Sequence, residues 1–224
     1  GGAGDDKVAS LSIASDGALL VASSEDGVAV VRKYDAADGS SAAVWEQSLG
    51  DMEAGRIGQV EVDGSDIYVT GSAGSSFSPS APLSAHAGGV RDVFLVKMTD
   101  GATPTLGYTT FVGSSGDETA NAITIDSGKV YLAGKTDGSL PGATLQGDRD
   151  AFAAQLDATT GGLDWATQLS GRSSIAESTG IAVQSQGDSV LDAMGLPSGS
   201  LTYSDSRVVT DRSAAREGAH FYIS

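Results

Sequence analysis

The stretch ANAITIDSGKVYLAG, residues 120–134, decides the fold because the chain has already written it once, as IGQVEVDGSDIYVTG at residues 57–71. In each copy an alternating run (Val60-Glu61-Val62, Ile123-Thr124-Ile125) buries one face and wets the other. A turn of Asp, Gly and Ser follows. A more continuously apolar run then ends in Gly71 or Gly134. That order predicts an antiparallel hairpin.

The frame extends in both directions. DVFLVKMTD (Asp92 to Asp100) has its counterpart in DAFAAQLD (Asp150 to Asp157), and LGYTTFVGSSGD (Leu106 to Asp117) in LDWATQLSGRSS (Leu163 to Ser174). An earlier copy runs through ASLSIASDGALLVASSEDG, VAVVRKYD and VWEQSLGD between Ala9 and Asp51. A fourth opens with ESTGIAVQSQGDSVLDAMG at Glu177 to Gly195 and then departs from the pattern. Leu11, Val60, Ile123 and Ile181 anchor the copies, at steps of 49, 63 and 58 residues. Periods of this size mark repeat folds.

Each unit reads as four short strands. The third and fourth are joined by DAADGSSAA, DGATPT or DATTGG, all turn chemistry. One such sheet cannot bury both faces, whereas sheets piled face to face can. The expectation is an all-β, β-propeller-like chain of repeated four-stranded antiparallel blades, three clear and a fourth partial or altered. Units are placed at about 1–49, 50–112, 113–170 and 171–205, within a repeat domain of residues 1–205. Residues 206–224 form a C-terminal strand or linker segment. GGAGDD resembles GSSGDE at Gly113 to Glu118, so the chain begins at a repeat boundary and reads as a fragment or a processed chain. Two closures are open: a four-bladed ring finished by an unusual last sheet, or an arc of a larger ring. In the first, GGAGDDKVASL would pair with the last blade.

Units of the form D-x-A-x-x-I-x-I-D-S-x-G-x-V-Y-L-A-G, then G-x-x-D-A-F-x-A-x-L-D, then G-x-L-x-W-x-T-x-L resemble the SBBP repeats of bacterial β-propeller proteins. Ala120 to Gly134, Asp148 to Asp157 and Gly162 to Gly171 carry the resemblance, with Gly58 to Gly71 and Arg91 to Asp117 as a second copy. It covers roughly residues 1 to 195. It implies an extracytoplasmic or surface-associated interaction module and brings no catalytic residues. The tail SRVVTDRSAAREGAHFYIS (Ser206 to Ser224) is weakly similar to a segment of alphaproteobacterial flagellar regulatory and hook-associated proteins. It has Glu217-Gly218-Ala219 where that pattern prefers Gly-Asp. Two strands around a Glu217-Gly218 turn are expected there.

Composition narrows the function. The 224 residues carry 13 Lys and Arg against 29 Asp and Glu, a net charge of −16. Phosphate binding needs a basic patch, so no nucleic-acid partner is expected. No run approaches the ~20 apolar residues of a membrane span, so no membrane insertion is expected. There are no cysteines and two histidines, His86 and His220, which removes thiol chemistry and Cys- or His-rich metal sites. Asp-rich turns such as Asp63 to Asp66 and Gln146 to Asp150 are too short for a calcium loop. No cofactor or metal is expected.

There is no G-x-S-x-G elbow, and a Ser-His-Asp set would have to use His86 or His220. Trp45 and Trp165 hold matching repeat positions, which argues for packing rather than sugar stacking. The loop between second and third strands varies most, and variable loops over a rigid scaffold carry binding residues. Its long version, Ser72 to Arg91, offers Phe77, Leu83 and His86 as binding candidates. The competing reading is that they tuck over the sheet edge. The expected function is a non-enzymatic protein-interaction scaffold with flagellar or surface proteins as partners. The alternative is an exported carbohydrate-binding module, or a hydrolase or lyase, using carboxylates at the channel mouth.

Overall fold

The computed structural model describes residues 6–35, 42–170 and 175–183, together with the backbone of 208–209 and 219–223. The chain is all-β over the described residues. Three four-stranded antiparallel sheets follow one another in sequence order. Sheet 1 comprises β1 (Asp6–Ile13), β2 (Leu19–Glu25), β3 (Val28–Tyr34) and β4 (Ala43–Asp51). Sheet 2 comprises β5 (Arg56–Asp63), β6 (Asp66–Ala73), β7 (Asp92–Thr99) and β8 (Thr105–Val112). Sheet 3 comprises β9 (Glu118–Asp126), β10 (Lys129–Thr136), β11 (Asp150–Asp157) and β12 (Leu163–Leu169). Each is a simple meander.

The hairpins form where the sequence supplies positive φ. Asp26 and Gly27 (φ 50° and 86°) join β2 to β3, and Ser127 and Gly128 (φ 50° and 75°) join β9 to β10. Two consecutive left-handed residues give the type I′ turn, whose twist matches the flanking strands.

β13 (Ser178–Val183) begins a further sheet, but its neighbour is not the next strand in sequence. It pairs in parallel with β15 (Ala219–Ile223), which pairs antiparallel with β14 (Val208–Val209). The tail thus forms two strands. The expected Glu217-Gly218 turn, and the rest of the fourth copy to Gly195, lie outside the described residues. The described sheets form a row that does not close on itself. The N-terminal segment expected to join the last blade instead pairs, from Asp6 onward, with β2 of its own sheet.

The first strands adjoin in turn, β1 beside β5, β5 beside β9 and β9 beside β13. Cores fill the spaces between sheets. Leu20, Ala22, Val31 and Trp45 meet Val60, Ile67, Val69 and Met98 between sheets 1 and 2. Tyr68, Leu95 and Tyr108 meet Ile123, Leu132, Phe152 and Leu156 between sheets 2 and 3. Apolar area removed from water contributes about 25 cal/mol per Å2, so these two layers supply most of the stabilisation.

Repeat-equivalent residues make repeat-equivalent links. Ser10 Oγ accepts the Val60 N–H at 3.1 Å, and Gln59 Oε1 accepts the Ile123 N–H at 3.0 Å. In both cases the residue before one anchor holds the backbone of the next. The third copy has Ala122 at that position, and Asn121 Nδ2 donates instead to Ser178 O at 2.7 Å.

Candidate functional site

The loop between β6 and β7 is tied down along its whole length. Gly74 N–H donates to Met52 O at 3.1 Å, and Ser76 N–H to Glu53 Oε2 at 3.1 Å. A Cβ on Gly74 would lie 2.1 Å from Glu53 Oε2, so a larger residue here would displace the Glu53 side chain from Ser76. Phe77 then turns inward. It is 1% exposed and its ring lies 4.6 Å from that of Phe94. Of the three sequence candidates it is the one that lies in the core.

Beyond it the chain runs along the outer edge of sheet 2. Pro82 bridges Thr109 in parallel, Leu83 N–H donates to Thr109 O at 2.8 Å, and Phe111 N–H donates to Ser84 O at 3.2 Å. An open strand edge invites uncontrolled pairing, and this segment covers the edge of β8. Leu83 is left 59% exposed. Below it lies a cavity of about 210 Å3 between units 2 and 3, walled by Leu83, Phe111, Val112, Pro141, Gly161 and Leu163. A Cβ on Gly161 (φ 69°) would lie 2.8 Å from the Tyr108 ring and 3.0 Å from Leu83. Glycine thus keeps this wall thin. No residue lining the cavity is ionisable. Such a hollow fits an apolar side chain, and its polar side chains are the hydroxyls of Ser84, Thr110 and Thr160.

His86 goes the other way. Its ring stands edge-on to Phe111 at 5.6 Å, and Nδ1 lies 3.6 Å from Asp92 Oδ2. Asp92 is fully buried, accepts the Ala87 N–H, and faces Glu118, also fully buried. Burial, with the Glu118 charge added to it, pushes the Asp92 carboxyl up to about 7. Glu118 is well satisfied, accepting from Ser114 N–H at 2.8 Å, Ser114 Oγ at 2.6 Å and Thr136 Oγ1 at 2.6 Å. Asp92 is not. Its Oδ1, like His86 Nε2, is buried without a hydrogen-bond partner.

The cause lies in the repeat. Asp150 holds the position of Asp92 one unit on, accepting Gln146 N–H and Gly147 N–H, each at 2.9 Å, and Gln168 Nε2 at 3.2 Å. Phe111 stands where Gln168 would be, paired to Phe94 as Gln168 is to Phe152. Sequence reading singled out Leu83 and His86 but missed Asp92, Phe111 and Gly161. The Asp92/Asp150 match was the available signal.

The aromatic of each fourth strand is structural. Trp45 and Tyr108 are each 7% exposed, and Trp165 packs on Ala133, Ala151 and Ala153. Among the described residues, no three His, Asp or Glu side chains are grouped so as to hold a metal ion, and no helix is long and apolar enough to cross a membrane.

Three like sheets joined through their first strands, with one elaborated loop, make this an all-β repeat protein. Its sequence is similar to Regulatory protein FlaEY of Caulobacter vibrioides, 34% identical over 179 residues. The match takes in 79% of this chain and 19% of FlaEY, so it spans about a fifth of that protein's length. No family model matches the chain, and the likeness to SBBP repeats rests on the motifs quoted above.

Proposed function

We propose that this chain is a non-enzymatic, protein-binding part of a flagellar regulatory protein, built as a propeller-like row of SBBP-type sheets and working at the flagellum or cell surface. The similarity to FlaEY over 79% of the chain carries the reading. The likeness of the tail to flagellar regulatory proteins points the same way. The adjoining of first strands β1, β5, β9 and β13 supports the propeller-like arrangement, since the innermost strands of blades meet in this order. The scaffold role is supported by the ledge at Leu83, an exposed apolar side chain over a cavity with no ionisable wall. Such a surface recognises an apolar side chain of a protein partner.

The test is an exchange. The segment of FlaEY that matches this chain is replaced by the chain in Caulobacter vibrioides, and swimming and filament production are measured. Function retained by the chimera, and lost on Leu83→Asp with normal accumulation, supports the reading. A chimera that accumulates normally yet leaves the cells without flagellar function overturns it.

A further inference from the structure

Sheets 2 and 3 each have one face covered by the sheet before. Across sheet 2 that face carries the row Val60–Val69–Val96–Thr109, and across sheet 3 the row Ile123–Leu132–Ala154–Ala166. Val60, Val69 and Val96 are fully buried, and Ile123 is 2% exposed. The same row in sheet 1 is Leu11–Val21–Arg32–Glu46. Leu11 is 57% exposed, Ile13 two places on is 61%, and Val44 on β4 is 55%. The anchor position that is core in two sheets is bare in the third, at Leu11, and Ile13 is bare where Val62 and Ile125 are partly buried. The backbone repeats the point: the Leu11 N–H holds the place of the Val60 and Ile123 N–H groups, which the preceding sheet's Ser10 and Gln59 accept.

We propose that this face of sheet 1 is a docking surface for one further four-stranded sheet of the same repeat, supplied by a longer form of the same polypeptide. The proposal rests on the stacked-sheet reading above. The occupant is specified by the two interfaces it would continue. It brings an apolar face onto Leu11, Ile13 and Val44, and a Ser, Gln or Asn acceptor to the Leu11 N–H. A second copy of the chain is a poorer fit. At a net charge of −16 two copies repel each other, whereas a tethered sheet arrives at millimolar effective concentration. FlaEY has length to spare, four-fifths of it lying outside the match. Arg32 departs from the internal pattern, standing where Val96 and Ala154 are buried. Its guanidinium is held by Glu25 and by Glu46 at 2.8 Å, so the outer half of the face is charged, with one cation shared by two carboxylates. Charged groups at the margin and apolar groups towards the inner strand give the polar rim and dry centre of an interface.

The chain has no cysteine, so a single introduced thiol reports on the face. Leu11→Cys and Ile13→Cys are each made in the 224-residue chain and in the polypeptide produced from the intact gene, and maleimide labelling is timed. The expected result is rapid labelling in the 224-residue chain and labelling slowed about 100-fold or more in the intact polypeptide. Leu11→Lys is expected to lower the melting temperature of the intact polypeptide and leave that of the 224-residue chain unchanged. Equal labelling rates in the two overturn the proposal. So does protection within the 224-residue chain, either rising with concentration, which assigns the face to a second copy, or independent of it, which assigns it to the chain's own segments. The FlaEY exchange reads binding function and not coverage of Leu11, so the two readings fail separately.

Discussion

Lys33 Nζ lies 2.5 Å from Asp100 Oδ2, an ion pair between sheets 1 and 2 across 67 residues of sequence. Asp16 Oδ2 takes the same ammonium at 2.6 Å, and Trp45 Nε1 donates to Asp100 Oδ1 at 3.1 Å. One unit on, Lys97 Nζ and the Tyr108 hydroxyl make the equivalent reach, to Ala158 O at 3.3 and 3.2 Å. Ala158 holds the repeat position of Asp100, so the backbone carbonyl does in one interface what a carboxylate does in the other. Burial pulls the Lys33 pKa down, but the Asp100 and Asp16 carboxylates outweigh it and hold it above the usual lysine range.

Removing Asp100 leaves that cation to Asp16 alone and takes the acceptor from the Trp45 indole N–H. Asp100→Ala is expected to cost about 1–3 kcal/mol, the range for leaving a buried donor without its acceptor. Urea unfolding followed by tryptophan fluorescence measures it. The double variant Lys33→Met, Asp100→Leu is expected to recover part of the loss, because the one carboxylate then left without its cation, Asp16, is exposed to water.

Stability should fall as pH rises from about 4 to 7. Asp92 titrates near 3.8 when unfolded and near 7 when folded, so the native state holds the extra proton in that window. The contribution is complete below the unfolded value and lost as pH passes the folded one. Asp92→Asn is expected to flatten this slope and raise the melting temperature at pH 8 relative to the parent. Thermal melts from pH 4 to 8 read both.

Gly134→Ala is expected to cost about 3 kcal/mol or more, the upper end of overpacking effects. A Cβ there would lie 1.9 Å from Thr119 O, at the irregularity between β9 and β10. Gly71→Ala meets Arg56 O at 2.0 Å in the equivalent place and should behave alike. An Ala variant at either site that melts with the parent contradicts the close approach.

The long loop separates structure from surface in two substitutions. Phe77→Ala is expected to destabilise by about 3–5 kcal/mol, as for other buried aromatics. Leu83→Ala should stay within about 0.5 kcal/mol, as exposed positions do. Denaturant midpoints for the pair decide whether the loop is anchored at Phe77.

The repeat was legible because each sheet must solve the same burial problem with the same residues. Tyr68 and Tyr131 are both buried at matching positions on β6 and β10, and Gly71 and Gly134 end both runs at the same close approach. The site was legible only in part. Leu83 and Phe77 are both apolar residues in one loop, and nothing in their local sequence says that one faces Phe94 and the other faces water. Asp92 could be matched to Asp150 along the chain, but its lack of the partner that Gln168 gives Asp150 comes from Phe111 on the adjacent strand.

The sequence by itself determined the strands and turns of the three repeated sheets, because hydrophobic periodicity and positive-φ turn residues act within a few positions of the chain. The tertiary structure decided which faces are covered, which carboxylate meets which cation, and that the tail strand β15 enters beside β13 in parallel. Those outcomes depend on groups tens of residues apart competing for the same buried space, and local pattern carries no record of who wins.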